Sequence, residues 1–191
     1  MERTNPKVRQ KANNTLAFLR RNIPTKCPKK IKEQCFKTLV KPVLEYGCCV
    51  WDPHLKTQIN NLEKVHKNAA RFVTNNYSYT QGSTAQNMKK LGWIPLEEQR
   101  ARNKTSIFFK AINSQIDIPI DDLKKSNRKT RNSDDQTFIP PSSKNDCHMH
   151  SFFPNTVRLW NKLPSDIKSS DNVDTLKHKL QYVTLRSSYD C

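Results

Sequence analysis

Apolar residues recur every three or four positions through much of the first 113 residues, the spacing that aligns side chains along one face of an α-helix. Residues 55–77 show this pattern most clearly. Their apolar positions are Leu55, Ile59, Leu62, Val65, Ala69, Phe72 and Val73. The positions on the opposite side are Lys56, Lys64, Lys67 and Arg71. The pattern predicts an amphipathic helix with a basic outer face, and His66, which falls among the apolar positions, is predicted to be a core histidine.

Proline and glycine residues mark the predicted helix boundaries and turns in the neighbouring segments. Apolar spacing over residues 8–23 predicts a first helix, which ends at the proline that follows. A second helix is expected over residues 31–43, kinked or ended by Pro42 because proline has no N–H to donate. Gly47 marks a turn, and a further helix is predicted to start at Pro95 with acidic residues in its first turn.

The helical spacing fades near residue 114 and returns after residue 148. The apolar positions that share helix faces in the last segment are Val157, Trp160 and Leu163, then Val173, Leu176, Leu180 and Val183. The sequence therefore predicts an all-α fold. It consists of a small helical bundle over residues 1–113, a basic, proline-containing linker over 114–147 and a short helical tail over 148–191.

The net charge of the chain adds a functional prediction to the predicted fold, because it indicates that the protein binds polyanions. The chain has 34 Lys and Arg against 17 Asp and Glu, a formal charge of +17, and its pI is about 9.8. Such an excess points to nucleic acid as the partner. Only three glycines are present, and neither Gly-rich phosphate-binding motif occurs, so no nucleotide cofactor is expected. The N-terminal residues lack the apolar region of a signal peptide, and no apolar run is long enough to cross a bilayer. The expected location is intracellular, in the nucleus or the cytoplasm, without a membrane partner.

Basic residues near the first helix junction, on the helix of residues 55–77 and in the linker are predicted to contact phosphates. They are Arg20, Arg21, Lys29, Lys30, Lys64, Lys67, Arg71, Lys124, Lys125 and Arg128. Binding of this kind releases counterions, so it is salt-sensitive and largely independent of sequence. For any single residue the alternative is a solvated helix face.

Sulfur and imidazole groups come together in the stretch "CCVWDPH", where Cys48 and Cys49 precede His54. A zinc site requires four ligands, usually as two close pairs, whereas the side chains of adjacent cysteines diverge. The segment from Cys147 to His150 has no second half-site at a suitable spacing. Neither a metal nor a catalytic thiol is expected, and the two adjacent cysteines are predicted to pack beside Trp51.

Paired aspartates, of the kind that a polymerase or nuclease uses to hold metal ions, occur as Asp121–Asp122 and Asp134–Asp135. Both pairs lie in or beside the predicted linker, which cannot hold carboxylates at fixed distances. No catalytic residue is therefore predicted.

Five motifs in order carry a family resemblance: "LAFLRRNI", "LVKPVLEYGCCVWDPH", "LEKVHKNAARFV", "LGWIPLEEQR" and "SFFPNTVRLWNKLP". Together they resemble the region that follows the palm in the reverse transcriptase of non-LTR (LINE-type) retrotransposons, particularly the jockey-like branch. The resemblance covers residues 13–182. It implies a thumb and C-terminal tail whose helices grip an RNA template and its DNA primer. Asn155 and Gln99 depart from the pattern, because the family often has a basic residue at each position.

The resemblance also implies what the chain lacks. The aromatic-x-Asp-Asp motif that binds the metals of the parent RNA-directed DNA polymerase lies upstream of this region and does not occur here. The chain is therefore expected to be a non-catalytic fragment, with the palm and fingers as possible partners. Trp51, Trp93 and Trp160, which lie within the motifs, are predicted to anchor the core.

Two hypotheses follow. In the first, the fragment binds template–primer nucleic acid, as duplex or single strand, through its basic helix faces. In the second, it is an inert or protein-interacting helical fragment without independent activity. A zinc-dependent binding module is a third, weaker reading.

Overall fold

The structure, a computed structural model, describes residues 4–78, 80–120, 123–126 and 136–185. It is all-α, as predicted. In the described parts of the chain, strand-like pairing is limited to one antiparallel bridge between Lys125 and Phe138. The chain divides into two compact units, Met1–Glu97 and Glu98–Cys191.

The helices of the first unit are α1 (Thr4–Asn22), α2 (Lys29–Cys35), α3 (Lys41–Glu45), α4 (Cys48–Trp51), α5 (Lys56–Thr74) and α6 (Ser83–Leu91). Helix α7 (Leu96–Ile112) starts at the end of this unit. The helices that follow in the second unit are α8 (Asp146–Met149), α9 (Phe152–Asn161), α10 (Ser165–Lys168) and α11 (Val173–Lys179), with a 3₁₀ turn at Leu180–Tyr182. Two predicted helix boundaries are confirmed: α1 ends before Pro24, and α7 starts after Pro95.

The core of the first unit forms where α1 and α2 pack against α5. Helix α1 contributes Ala12, Leu16 and Leu19, which are at most 3% exposed. The α5 residues that face them were predicted from the apolar period, and those fully or almost fully buried are Leu62, Val65, Ala69, Phe72 and Val73. Burial of these side chains is the main stabilising contribution in the unit.

Pro42 follows a π-helical turn at Phe36–Val40, in which the backbone N–H of Lys41 donates to the carbonyl of Phe36. The wider turn comes immediately before the residue that cannot donate a backbone hydrogen bond, and the chain then continues as α3. The sequence predicted a kink or an end at this proline. In the structure the helix does not end at Pro42. It continues through a local π-helical distortion into α3.

Gly47 provides the turn that the sequence predicted between α3 and α4. Its φ of +64° lies in the left-handed region that favours glycine. The turn brings the Trp51 Nε1–H to the carbonyl of Tyr46, to which it donates at 2.7 Å. The apolar run that follows the turn is the short helix α4, with Cys48 buried and Cys49 half-buried.

The core of the second unit centres on Trp160 of α9. Trp160 is 1% exposed and makes an edge contact with Phe108 of α7 at a centroid distance of 5.6 Å. Its Nε1–H donates to the carbonyl of Gln136 at 2.9 Å. Val157 and Leu163 are buried on the same side, as predicted.

Phe138, which lies within the predicted linker, packs in the core of the second unit. It is 5% exposed and meets the ring of Phe108 edge-on at 5.6 Å. Asn161 holds its backbone on both sides, because the Phe138 N–H donates to Oδ1 at 3.1 Å and the Asn161 Nδ2–H donates to the Phe138 carbonyl at 2.7 Å. One isolated aromatic residue has no helical period, so the sequence pattern could not reveal this packing.

Replacement Asn161→Ala is expected to destabilise the chain by about 2 kcal/mol, because two partly buried backbone groups lose their partners. Urea unfolding followed by circular dichroism measures the change. Asn145→Ala is the matched control, since the exposed Asn145 side chain makes no capping hydrogen bond. Equal stability of the two variants would contradict the assigned role of Asn161.

Candidate nucleic-acid interface

The positive charge is concentrated in the first unit. Residues 1–97 contain 18 Lys or Arg and 6 Asp or Glu, a net charge of +12. Residues 98–191 contain 16 and 11, a net charge of +5. The search for a polyanion-binding surface therefore begins in the first unit.

Three acidic side chains of the first unit, Glu33, Glu45 and Glu63, have partners within the fold. Glu33 accepts from Lys37 Nζ at 2.8 Å and from Trp93 Nε1 at 3.2 Å. Glu45 pairs with Lys41 at 3.5 Å. The buried Glu63 accepts from a backbone N–H at 3.2 Å and lies 3.7 Å from His66 Nδ1. Among residues 6–78 and 80–97, every acidic side chain is buried or half-buried.

The hydrogen bond from the Lys37 ammonium group is the main reason that the pKa of Glu33 lies below its usual value, and the Trp93 indole acts in the same direction. Partial burial works against both. Glu33 therefore stays ionised to a lower pH than an ordinary glutamate, and its negative charge is directed toward its own neighbours.

Basic side chains of the first unit, in contrast, mostly face solvent. The exposed ones are Lys7, Arg9, Lys11, Arg20, Arg21, Lys26, Lys29, Lys30, Lys37, Lys56, Lys64, Lys67, Lys89 and Lys90. The outward-facing charge of this unit is therefore strongly positive.

Lys64 and Lys67 stand one turn apart on the outer face of α5, as the sequence predicted. Both are exposed, and neither makes a side-chain hydrogen bond or an ion pair with any residue that the structure describes. Their ammonium groups are available to an anion from solution.

Arg20 joins the same surface from α1. It is exposed, and its Nη2–H donates to the carbonyl of Asn68 at 2.8 Å. Asn68 lies beside Lys67 in sequence and one turn beyond Lys64 on α5. We call Arg20, Lys64 and Lys67 the basic ridge.

Arg71 differs from the prediction that placed it on the outer face. It is half-buried, with Nη1 donating to Asn68 Oδ1 at 3.2 Å and Nη2 to Thr84 Oγ1 at 2.9 Å. Its guanidinium group therefore links α5 to α6. The partner on α6 is 13 positions away in sequence, so the periodicity of α5 gave no sign of it.

The remaining predicted residues of the first unit are exposed but not equivalent. Lys29 Nζ donates to the Lys90 carbonyl at 3.4 Å, at the C-terminal end of α6, where the helix dipole favours a cation. Arg21 and Lys30 make no ion pair or side-chain hydrogen bond with the described residues. Lys29 thus has a structural use, whereas the other two remain available.

One lysine of the first unit is buried. Lys32 is 1% exposed, and its Nζ donates to Asn75 Oδ1 at 2.6 Å and to the Thr25 carbonyl at 2.9 Å. The same ammonium group lies 5.5 Å from the centre of the Phe72 ring. Lys32 is therefore a structural cation and takes no part in the outer surface.

The predicted linker residues belong to the second unit. Lys124 and Lys125 are exposed, and the Lys124 carbonyl accepts from Ile139 N–H at 2.8 Å beside the bridge to Phe138. Arg128 lies outside the described residues. No contact joins these side chains into a further cluster in the described parts of the second unit.

Sulfur and imidazole groups are the side chains from which this sequence could build a metal centre. Across the ranges that the structure describes, no three His, Cys, Asp or Glu side chains are grouped as metal ligands would be, and no disulfide joins the described cysteines. His66 is 4% exposed and stacks on Trp93 at a centroid distance of 5.0 Å, which confirms its prediction as a core histidine. Trp51 and Trp93 pack against the first core, as predicted.

Fold and surface together define an all-α protein with a basic first unit. In the described residues, no helix has the length and apolar character needed to cross a membrane. Comparison with protein families, curated protein sequences and solved structures finds no match.

Replacement Lys37→Met is expected to raise the pKa of Glu33 toward its ordinary value, because it removes the main cause of the depression. The stability that a depressed carboxyl contributes is present above its unfolded pKa and is lost as pH falls through the lower folded value. The variant should therefore lose less stability than the parent on acidification. A carboxyl NMR titration measures the pKa, with Lys41→Met as the control. An unchanged Glu33 titration would show that Lys37 is not the cause.

Proposed function

We propose that the chain is a non-catalytic part of a non-LTR retrotransposon reverse transcriptase that binds template–primer nucleic acid through phosphate contacts. The observation that carries the proposal is the separation of charge in the first unit. Its described acids are at least partly buried, whereas most of its basic side chains are exposed. A surface of this kind attracts a polyanion without reading its sequence.

The geometry of α5 suits a phosphate backbone. Lys56, Lys64 and Lys67 are exposed along it, and at 1.5 Å per residue they span about 16 Å of helix axis. This distance covers several nucleotides at about 3.4 Å per step. Lys56 and the basic ridge would therefore contact several phosphates of one strand.

Support for the narrower assignment to a reverse transcriptase comes from the order of the five sequence motifs. In this proposal the parent enzyme, not this chain, performs phosphoryl transfer, since the aromatic-x-Asp-Asp motif does not occur in the sequence. The part played by residues 1–97 is to hold the nucleic acid.

Affinity for an RNA–DNA template–primer duplex is expected to fall steeply as salt rises. With three to five phosphates contacted, the slope of log K against log salt should be about −2.7 to −4.5. Fluorescence anisotropy of a labelled duplex between low and moderate salt measures it. A flat response would remove the proposal.

The double replacement Lys64→Glu/Lys67→Glu is expected to weaken duplex binding on the order of tenfold or more, because two phosphate contacts become repulsive. Both side chains are exposed, so the circular dichroism spectrum and thermal midpoint should stay close to those of the parent. The control is Lys144→Glu/Lys177→Glu, which makes the same charge change at two exposed lysines of the second unit; Lys177 lies 3.8 Å from Asp174 in an exposed ion pair. Equal losses in the two double variants would show only a general effect of net charge.

A second candidate function is contact with a protein partner, and one observation favours it. Large apolar side chains are exposed on the first unit; those more than two-fifths exposed are Phe18, Ile31, Leu39, Tyr46, Val50, Leu55 and Tyr77. The two candidates are separated by the salt titration, since apolar association does not weaken as salt rises.

A further inference from the structure

A groove of about 570 Å³ opens in the first unit between α1 and the α3–α4 turn. Its walls are mainly apolar: Val8 of α1 faces Pro42 and Val43 of α3, and Trp51 of α4 forms part of the lining. This volume lies within the range of small-ligand sites. The groove is separate from the basic ridge, because Lys7 and Lys11, which line it, lie roughly 140–180° around the α1 axis from Arg20 by helical geometry.

Tyr46 and Val50 shape the open side of the groove. Tyr46 is 87% exposed, and Val50 beside it is 72% exposed. The backbone under Tyr46 is fixed, because its carbonyl accepts the Trp51 indole N–H at 2.7 Å and Gly47 takes the left-handed turn next to it. A nearly fully exposed phenol ring is thus presented from an ordered turn at the edge of an apolar groove.

The groove also has a cationic edge. Lys7 and Lys11 line it from α1, one turn apart, which places their Cβ atoms about 5–6 Å from each other. Both are exposed, and neither makes an ion pair or side-chain hydrogen bond with the described residues. The lining residues include no acid.

Resting on the proposed function, we propose that this groove holds an unpaired nucleobase of a single-stranded nucleic acid. The base stacks on the Tyr46 ring over the apolar floor, and the flanking phosphates pair with Lys7 and Lys11. Aromatic platforms beside basic side chains bind single strands in this way, because every base has a face that can stack. The site deepens the proposed function by adding recognition of unpaired strand to the contacts of the basic ridge.

The size of the groove favours a base over a partner helix. On α1 the lining runs only from Lys7 to Lys11, and on the other side it starts at Pro42 of α3 and ends at Trp51 of α4, so each lining segment is about 6 to 8 Å long. A helix docked through anchors at i, i+3, i+4 and i+7 needs about 10 Å of groove. A single nucleotide fits within the shorter length.

Oligothymidylate and an abasic strand of equal length separate base stacking from phosphate attraction, since both have the same backbone charge. Tyr46→Ala is expected to weaken oligothymidylate binding on the order of tenfold, and to leave affinity for the abasic strand and for blunt duplex unchanged. Tyr46→Phe keeps the ring and should bind like the parent. Tyr182→Ala, which removes a tyrosine 77% exposed in the second unit, is the matched control.

Equal affinity of Tyr46→Ala and Tyr182→Ala for oligothymidylate would overturn the assignment. It would also be overturned if Tyr46→Ala weakened binding of the abasic strand as much as binding of oligothymidylate. A second outcome would also overturn the assignment, in favour of a protein partner. In that outcome Tyr46→Ala binds oligothymidylate like the parent but loses affinity for an acidic amphipathic peptide of leucine, alanine and glutamate. Failure of the proposed function would look different: duplex binding would be absent or independent of salt. Intact, salt-dependent duplex binding with no preference for oligothymidylate over the abasic strand would reject this inference alone.

Discussion

Burial of the apolar face of α5 against α1 and α2 is the constraint on which the first unit depends. Leu62, Val65 and Ala69 are at most 1% exposed, and each buried leucine or valine contributes about 1.5–3 kcal/mol relative to an exposed position. With that face fixed in the core, helical geometry leaves Lys64 and Lys67 no direction but outward. The packing that stabilises the unit therefore also creates its basic surface.

Internal use of the acidic side chains completes that surface. Glu33 and Glu63 accept hydrogen bonds from groups of their own fold, and Glu45 is paired with the lysine one turn before it. Each carboxylate thus stabilises local structure and is screened by a partner. Lys64 and Lys67, in contrast, have no ion-pair partner among the described residues, so their charges face solvent.

Local periodicity predicted those parts of the structure that local geometry controls. The apolar stripe of α5, the core position of His66 and the turn at Gly47 all follow from residue spacing or backbone freedom. Local periodicity could not predict contacts between distant segments. Two such contacts are the hydrogen bond from Arg71 to Thr84 and that from the Phe138 N–H to Asn161. The exposed basic residues were predictable as a set, whereas the distinction between available and structurally engaged ones required the tertiary partners.

Helix α1 separates two surfaces of different chemistry. On one flank Arg20 adjoins the lysines of α5, a surface of charge alone, which suits the uniform backbone of a duplex. On the other flank Lys7 and Lys11 border an apolar groove with an exposed aromatic ring. Paired bases in a duplex are stacked on their neighbours and do not present a face, whereas unpaired bases do. In the proposed function, the two flanks of one helix would contact the two forms of nucleic acid that meet where a primer ends and its template continues.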